Sequence, residues 1–274
     1  MPRAYHVPSS RRWPAVPPEH THPWYEYADR WLNFPLGRVL DFGCGSGGML
    51  RRIADRSEAC FGVDVDPVRL ANARRLTRAD VRPIVPGRPL PFDDAQFDTV
   101  LLVEVIEHVP DERTVLAELS RVLRPGGRLL VTTPHRGPLT FLDPGNFKFL
   151  LPGLHRFIHR RVLGQPRYYE QQFGDARRAE TGLLGDFSAG TDSWHRHYPF
   201  RRLRALVPAE LRTVAWRAYF PGLRALWSLR LALRVVSRGR VERLPEPLAA
   251  VFRGLSRCES RWGDQLVALF GKRG

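Results

Sequence analysis

From residue 38 onward, apolar residues come in short runs, and between the runs they recur at helical spacing. Residues 38–42 (RVLDF) read as a short strand, 47–57 (GGMLRRIADRS) as a helix, 59–65 (ACFGVDV) as a second strand and 67–78 as a helix with proline in its first turn. A third strand is predicted at 81–85. Residues 97–105 (FDTVLLVEV) are apolar enough to predict a strand buried on both faces. Residues 111–123 have an amphipathic pattern ended by Pro125-Gly126-Gly127, and 128–133 (RLLVTT) read as a fifth strand. Strands alternating with helices at this spacing predict an α/β fold, a parallel sheet with helices on both faces.

Flanking segments read differently. The first 21 residues are rich in Pro and Arg and read as a mobile arm, and 22–34 (HPWYEYADRWLNF) as an aromatic helix ending before Pro35. The pattern loosens after Pro134, and residues 135–198 read as an insertion or lid. A helix is expected at 199–207, a sixth strand at 211–220, helices at 222–238 and 247–257, and a last strand at 265–271. The expected organisation is one domain over 22–274, with a first half (22–134) built around the glycine-rich turn and a second half (135–274) forming an acceptor or lid region.

Charge separates these halves. The 274-residue chain has a formal charge of +15, but residues 1–133 hold 18 basic and 17 acidic side chains, whereas 134–274 hold 25 and 11. The second half therefore sets up a field that attracts anions. Three widely spaced cysteines (Cys44, Cys60, Cys258) form neither a disulfide framework nor a zinc pattern and suit a reducing compartment. There is no apolar stretch of a secretory signal at the start and no long uncharged apolar run, so a cytoplasmic protein is expected.

The first chemistry-bearing segment is VLDFGCGSGG at 39–48. Gly43, Gly45 and Gly47 allow a tight turn and close approach of a ligand to the backbone, and the helix beyond adds the positive end of its dipole. Asp64, 23 residues after Asp41, falls at the end of the second strand, where a carboxylate can accept both hydroxyls of a ribose. Gly43, Gly45 and Gly48 also satisfy the dinucleotide pattern G-x-G-x-x-G. Asp41, two residues before the first glycine, favours instead a nucleoside cofactor with a cationic amino group. With LPFDDAQFDTVLLVEVIEHV and LRPGGRLLVTTP following in order, residues 36–134 resemble the class I S-adenosylmethionine-dependent methyltransferases. The resemblance implies a Rossmann-like, seven-stranded sheet with helices on both faces and a helical insertion in the C-terminal half. It implies S-adenosyl-L-methionine as cofactor, with Asp41, Gly43, Cys44 and Gly45 along its methionine part, Asp64 on the ribose and Val65 beside the adenine. The segment Val85-Pro86-Gly87-Arg88-Pro89 lacks the acid that many relatives place before LPF, so the adenine would be met by backbone groups or another side chain, Asp80 among the candidates, and its partner is left unassigned.

The second segment is EVIEH. On a helical turn, Glu104, Glu107 and His108 would share a face, oriented to position or deprotonate an acceptor. The same set, with His195 or His197 as a further ligand, has the oxygen-rich character that suits Mg²⁺. Locally it resembles the O-methyltransferases of ubiquinone biosynthesis and the small-RNA 2′-O-methyltransferases. His108 acting as a base without metal is the competing reading. His155 and His159, one turn apart among arginines, read as a solvated basic face.

In the second half, Arg224, Arg230, Arg234 and Arg238 fall within an arc of about 120° across from Leu226, Leu229, Leu233 and Val236. Residues 222–238 thus read either as a helix packed on the sheet or as a peripheral contact with an anionic membrane on its inner face. The expected activity is methyl transfer to an oxygen of a small-molecule, glycan or lipid-linked acceptor. The alternatives are an RNA 2′-O-methyltransferase and a non-catalytic subunit with this fold.

Overall fold

The structure, a computed structural model, describes residues 23–137, 151–164, 166, 169, 196–220, 223–238, 240, 246–255, 258–260 and 263–274. The expected arm at 1–21 and most of the expected lid, including His195, lie outside the described residues.

The elements follow the periodicity closely. Helix α1 (Pro23–Trp31) precedes β1 (Arg38–Phe42), α2 (Gly48–Ile53), β2 (Ala59–Asp64), α3 (Pro67–Leu76), β3 (Asp80–Pro83), β4 (Phe97–Val103), α4 (Glu112–Val122) and β5 (Leu123–Pro134). Then come α5 (Pro152–Phe157) with a π-helical continuation (Ile158–Val162), α6 (Phe200–Leu206), β6 (Leu211–Tyr219), α7 (Leu223–Val236), α8 (Glu246–Leu255) and β7 (Gln265–Lys272). The seven strands form one sheet in the order β3-β2-β1-β4-β5-β7-β6. The first five are parallel, and β7 runs antiparallel between β5 and β6.

The sheet is buried on both sides. Leu40, Val100, Leu102, Leu129 and Val131 face one core with Leu116 and Leu119 of α4. Val39, Leu101, Val103 and Leu130 face the other with Ala28 of α1 and Leu32 just beyond it. Adjacent residues of one strand thus point to opposite cores, which is why β4 is apolar at every position from Val100 to Val103. Two helix starts are fixed by aspartates. Asp66 accepts hydrogen bonds from the Val68 and Arg69 amides at the start of α3, and Asp111 from the Arg113 and Thr114 amides at the start of α4.

Three expectations change. β5 begins at Leu123, before the Pro-Gly-Gly stop, because Leu123 pairs with Phe97 and the chain then bulges before Thr99 pairs with Arg128. Gly127 has no room for a side chain: a Cβ would lie 2.9 Å from the Asp98 carbonyl oxygen. His155 is buried rather than solvated, its ring 4.6 Å from that of His159. On α7, Leu229 and Val236 are exposed while Arg234 is partly covered, so this helix does not simply lay its apolar side on the sheet.

Candidate active site

β1 and β2 end side by side, with Asp41 opposite Gly62 and Phe42 opposite Val63. Beyond β1 the chain turns sharply. The amides of Gly43 and Cys44 both donate to the Val63 carbonyl, at 2.8 and 3.0 Å, so the turn is tied to β2. Gly43, Gly45 and Gly47 have φ of 76, 52 and 82°, the left-handed region that side chains disfavour. The reasons for glycine differ between them. A Cβ on Gly43 would lie 2.5 Å from Val105, and one on Gly47 would lie 2.6 Å from Thr77. A Cβ on Gly45 would meet nothing within 4 Å, so the backbone there borders open space.

Asp64 holds this turn. Its Oδ2 accepts from the Gly45 amide at 2.8 Å and its Oδ1 from the Asp66 amide at 2.9 Å. Each oxygen keeps a second lone pair for a ligand hydroxyl. Asp41 is buried, and burial, with the Asp64 carboxylate as a lesser cause, pushes its carboxyl up to about 7. Burial and the same two carboxylates raise the Cys44 thiol well above its usual range, so it is a packed, protonated side chain. Val65, at the end of β2, is partly exposed.

A further residue, Tyr25, escaped the sequence reading. It comes from α1, and its hydroxyl would lie 3.0 Å from a Cβ on Gly48. Burial first, then Asp41, and more weakly Cys44 and Glu104, push its hydroxyl up to about 12 against the opposing charge of Arg69. The only signal for it was the aromatic run at 24–27 beside the glycine turn. Tyr25 therefore covers a turn ringed by Asp41, Asp64 and Glu104. This negative hollow lies in a chain of charge +15. It suits a cationic ligand and opposes the pyrophosphate of a dinucleotide.

Asp80 does not belong to the site. It starts β3, three positions before Pro83, the residue opposite Asp64, so it lies about 10 Å away along the strand. There it pairs with Arg82 at 2.6 Å, which holds its carboxyl below the usual range.

EVIEH departs from the expected helical face. Glu104 has φ 55° and lies outside the short 3₁₀ helix Ile106–His108. The two acids are held separately by β5 and β7. Glu104 Oε1 accepts from Thr132 Oγ1 at 2.7 Å and from the Gln265 amide side chain. Glu107, buried, accepts on Oε2 from Thr133 Oγ1 at 3.0 Å, and its Oε1 lies 3.8 Å from His108 Nε2. The expected divalent-ion set of Glu104, Glu107, His108 and His197 is not assembled: among the described residues, no three His, Cys, Asp or Glu side chains group so that they could hold a metal.

The loop is clasped from behind. Tyr198 is fully buried, and its hydroxyl donates to Glu112 at 2.9 Å and approaches the Ile106 carbonyl at 3.3 Å. Arg196 donates to the Val109 carbonyl at 2.7 Å and pairs with Glu112 at 3.3 Å. His197 sits between these two. His135, at the end of β5, is buried with Nδ1 2.7 Å from the Gly263 carbonyl, so that nitrogen carries the proton.

Comparison with known proteins agrees with this geometry. The family model described as a methyltransferase domain matches residues 40–131. A probable S-adenosylmethionine-dependent methyltransferase of Mycolicibacterium smegmatis is 43% identical over 39% of this chain and 40% of its own length. The ubiquinone biosynthesis O-methyltransferase of Pseudomonas aeruginosa is 34% identical over 41% of this chain and 52% of its own. The matched stretch thus spans about half or less of each relative. An S-adenosylmethionine-dependent methyltransferase structure from Mesorhizobium loti superposes with a TM-score of 0.52 at 17% identity, covering 91% of this chain and 98% of that one, a likeness of fold. Residues 40–131, which carry the glycine turn, Asp64 and EVIEH, match the methyltransferase-domain family model, and the seven-stranded sheet built around them has the class I S-adenosylmethionine-dependent methyltransferase fold.

Proposed function

We propose that this chain is an S-adenosylmethionine-dependent methyltransferase that methylates an oxygen of a small-molecule, glycan or lipid-linked acceptor. The observation that carries the cofactor assignment is the acid-ringed glycine turn. Its open space at Gly45, the buried Asp41 and the remaining lone pairs of Asp64 fit a nucleoside that bears positive charge on its amino-acid part. Asp64 would hold the ribose hydroxyls, Asp41 the amino group, directly or through water, and Val65 would flank the base. Bound there, S-adenosylmethionine supplies a methyl group on a sulfonium, open to in-line attack.

The rest of the chemistry falls to this chain. The acceptor must be oriented and its hydroxyl proton removed as attack proceeds. His108 is half-exposed beside the buried Glu107 carboxylate, which Thr133 orients. Glu107 can stabilise an imidazolium formed when His108 takes the proton, the logic of an acid behind a histidine base. Glu104, gripped by Thr132 and Gln265, keeps its carboxylate at the end of β4, where the acceptor or cofactor would meet it. The O-methyltransferase relative supports oxygen as the accepting atom.

The test is transfer of label from methyl-labelled S-adenosylmethionine into small-molecule, lipid and RNA fractions, with His108→Ala beside the wild type. Label in an ether-type product that falls at least about 100-fold in the variant supports the proposal. Label in RNA alone favours the ribose 2′-hydroxyl as acceptor. Cofactor binding with no transfer to any fraction supports the non-catalytic reading.

A further inference from the structure

Residues 151–164 present their side chains the wrong way round for a helix packed by its apolar face. His155 is buried, while Leu151, Leu154 and Phe157 are 51, 46 and 55% exposed. Beneath them the His155 ring packs 4.6 Å from His159 and 5.7 Å from Tyr169. His159 in turn faces α7: burial, with the charge of Arg234 added, holds its imidazole below the usual range. The ring cluster packs the inner side of α5 and its π-helical continuation, and Arg234 brings α7 within reach of His159.

That neighbour is also apolar on its outside. Leu229 is 40% and Val236 84% exposed, and on α8, which packs against α7, Val251 is 50% exposed. Single exposed apolar residues are ordinary, but six on adjoining elements are not. Their rim is basic: Arg156, Arg160, Arg161, Arg230 and Arg238 are exposed. Neither 151–164 nor 223–240 contains an Asp or Glu. Solvent-facing protein surfaces mix both signs.

We propose that the face formed by α5, its π-helical continuation and α7 binds the surface of an anionic lipid bilayer. Leu151, Leu154 and Phe157 enter the boundary between headgroups and acyl chains, and the guanidiniums stay among the phosphates. Charge complementarity commits the face to a polyanion, and the aliphatic exposure selects a bilayer among polyanions. Five of the six, Leu151, Leu154, Leu229, Val236 and Val251, are aliphatic and offer nothing to a base or a phosphate, and Phe157 alone among them could stack, whereas nucleic-acid grooves pair basic groups with several stacking aromatics. No helix among the described residues is long and apolar enough to cross a membrane, so the contact is peripheral. The surface extends the proposed function by bringing a membrane-borne acceptor to the enzyme, though lipid binding needs no methyl transfer.

The experiment is flotation of the full chain with phosphatidylcholine vesicles and with vesicles that contain about 30% phosphatidylglycerol. Wild type should float with the anionic vesicles and not with the neutral ones. The double variant Leu154→Ser, Phe157→Ser should bind anionic vesicles at least about tenfold more weakly, with melting temperature and S-adenosylmethionine binding unchanged. Equal partition into both vesicle types overturns the proposal. So does full anionic binding by the double variant, which would mean adsorption by charge alone, or tight binding to a short RNA without any flotation. Flotation by a chain that binds no S-adenosylmethionine would sink the proposed function and leave the surface standing.

Discussion

Asp41 provides the sharpest test, because the proposed site couples its proton to the cofactor. In the free protein burial and Asp64 place its carboxyl at about 7, against 3.8 for an unperturbed aspartate. A cation bound beside it needs the ionised form, so binding expels the proton. With that value, about 3% of Asp41 is ionised at pH 5.5 and about 75% at pH 7.5, so the affinity for S-adenosylmethionine should fall roughly 25-fold, or about 1.9 kcal/mol, between them. The cofactor amino group stays charged over most of this window and begins to lose its proton only near pH 7.5, a change of less than about twofold. Titration calorimetry at pH 6 in buffers of different ionisation enthalpy should show release of about 0.9 proton per cofactor bound. Asp41→Asn should bind weakly and without this pH dependence. Wild-type affinity constant within twofold from pH 5.5 to 7.5, with no buffer-dependent heat, would refute the coupling. The same group shapes stability. Between about pH 4 and 7 the folded, cofactor-free chain holds a proton that the unfolded chain has released, so stability falls as pH rises through this window, by at most about 4 kcal/mol. Asp41→Asn should flatten that slope in melts of the cofactor-free protein.

Other outcomes follow from the same geometry. Gly45→Ala should keep the fold at a cost of about 1 kcal/mol for its left-handed backbone, yet bind cofactor poorly, since the methyl occupies the open side of the turn. Gly43→Ala should lower the melting temperature much further, because its Cβ would collide with Val105 as well; melting curves separate the two, and equal effects would contradict the different surroundings. Glu107→Gln should lower kcat by at least about tenfold while leaving cofactor affinity near wild type, and should shift the His108-dependent limb of the pH–rate profile. An unchanged profile would remove Glu107 from the support of His108.

The parts of the site that a sequence exposes are those whose chemistry is local. β1 has its expected bounds, and the glycine turn and Asp64 fall where strand ends place them, because a short apolar run and a left-handed turn are properties of neighbouring residues. Glu104 shows the opposite case. Its spacing to Glu107 and His108 reads as a helical face, but the chain leaves β4 through a left-handed residue, and the two acids are then set by Thr132 and Thr133, distant in sequence. Tyr25 was missed for a similar reason: its place over the glycine turn depends on how α1 packs on the sheet. His155 reads as exposed among arginines and is buried, its ring packed against those of His159 and Tyr169. The +14 excess of residues 134–274 is visible in the sequence, but not that acidic side chains gather about the glycine turn of a cationic chain.

The most direct measurement is a calorimetric titration of the wild-type chain with S-adenosylmethionine and, separately, with a nicotinamide dinucleotide, repeated on Asp64→Ala with its melting temperature recorded. The acid-ringed turn predicts saturable one-to-one binding of S-adenosylmethionine, at least about tenfold weaker in Asp64→Ala through lost ribose hydrogen bonds, and no dinucleotide binding. A dinucleotide bound as tightly as S-adenosylmethionine, or a folded Asp64→Ala with undiminished affinity, would contradict it.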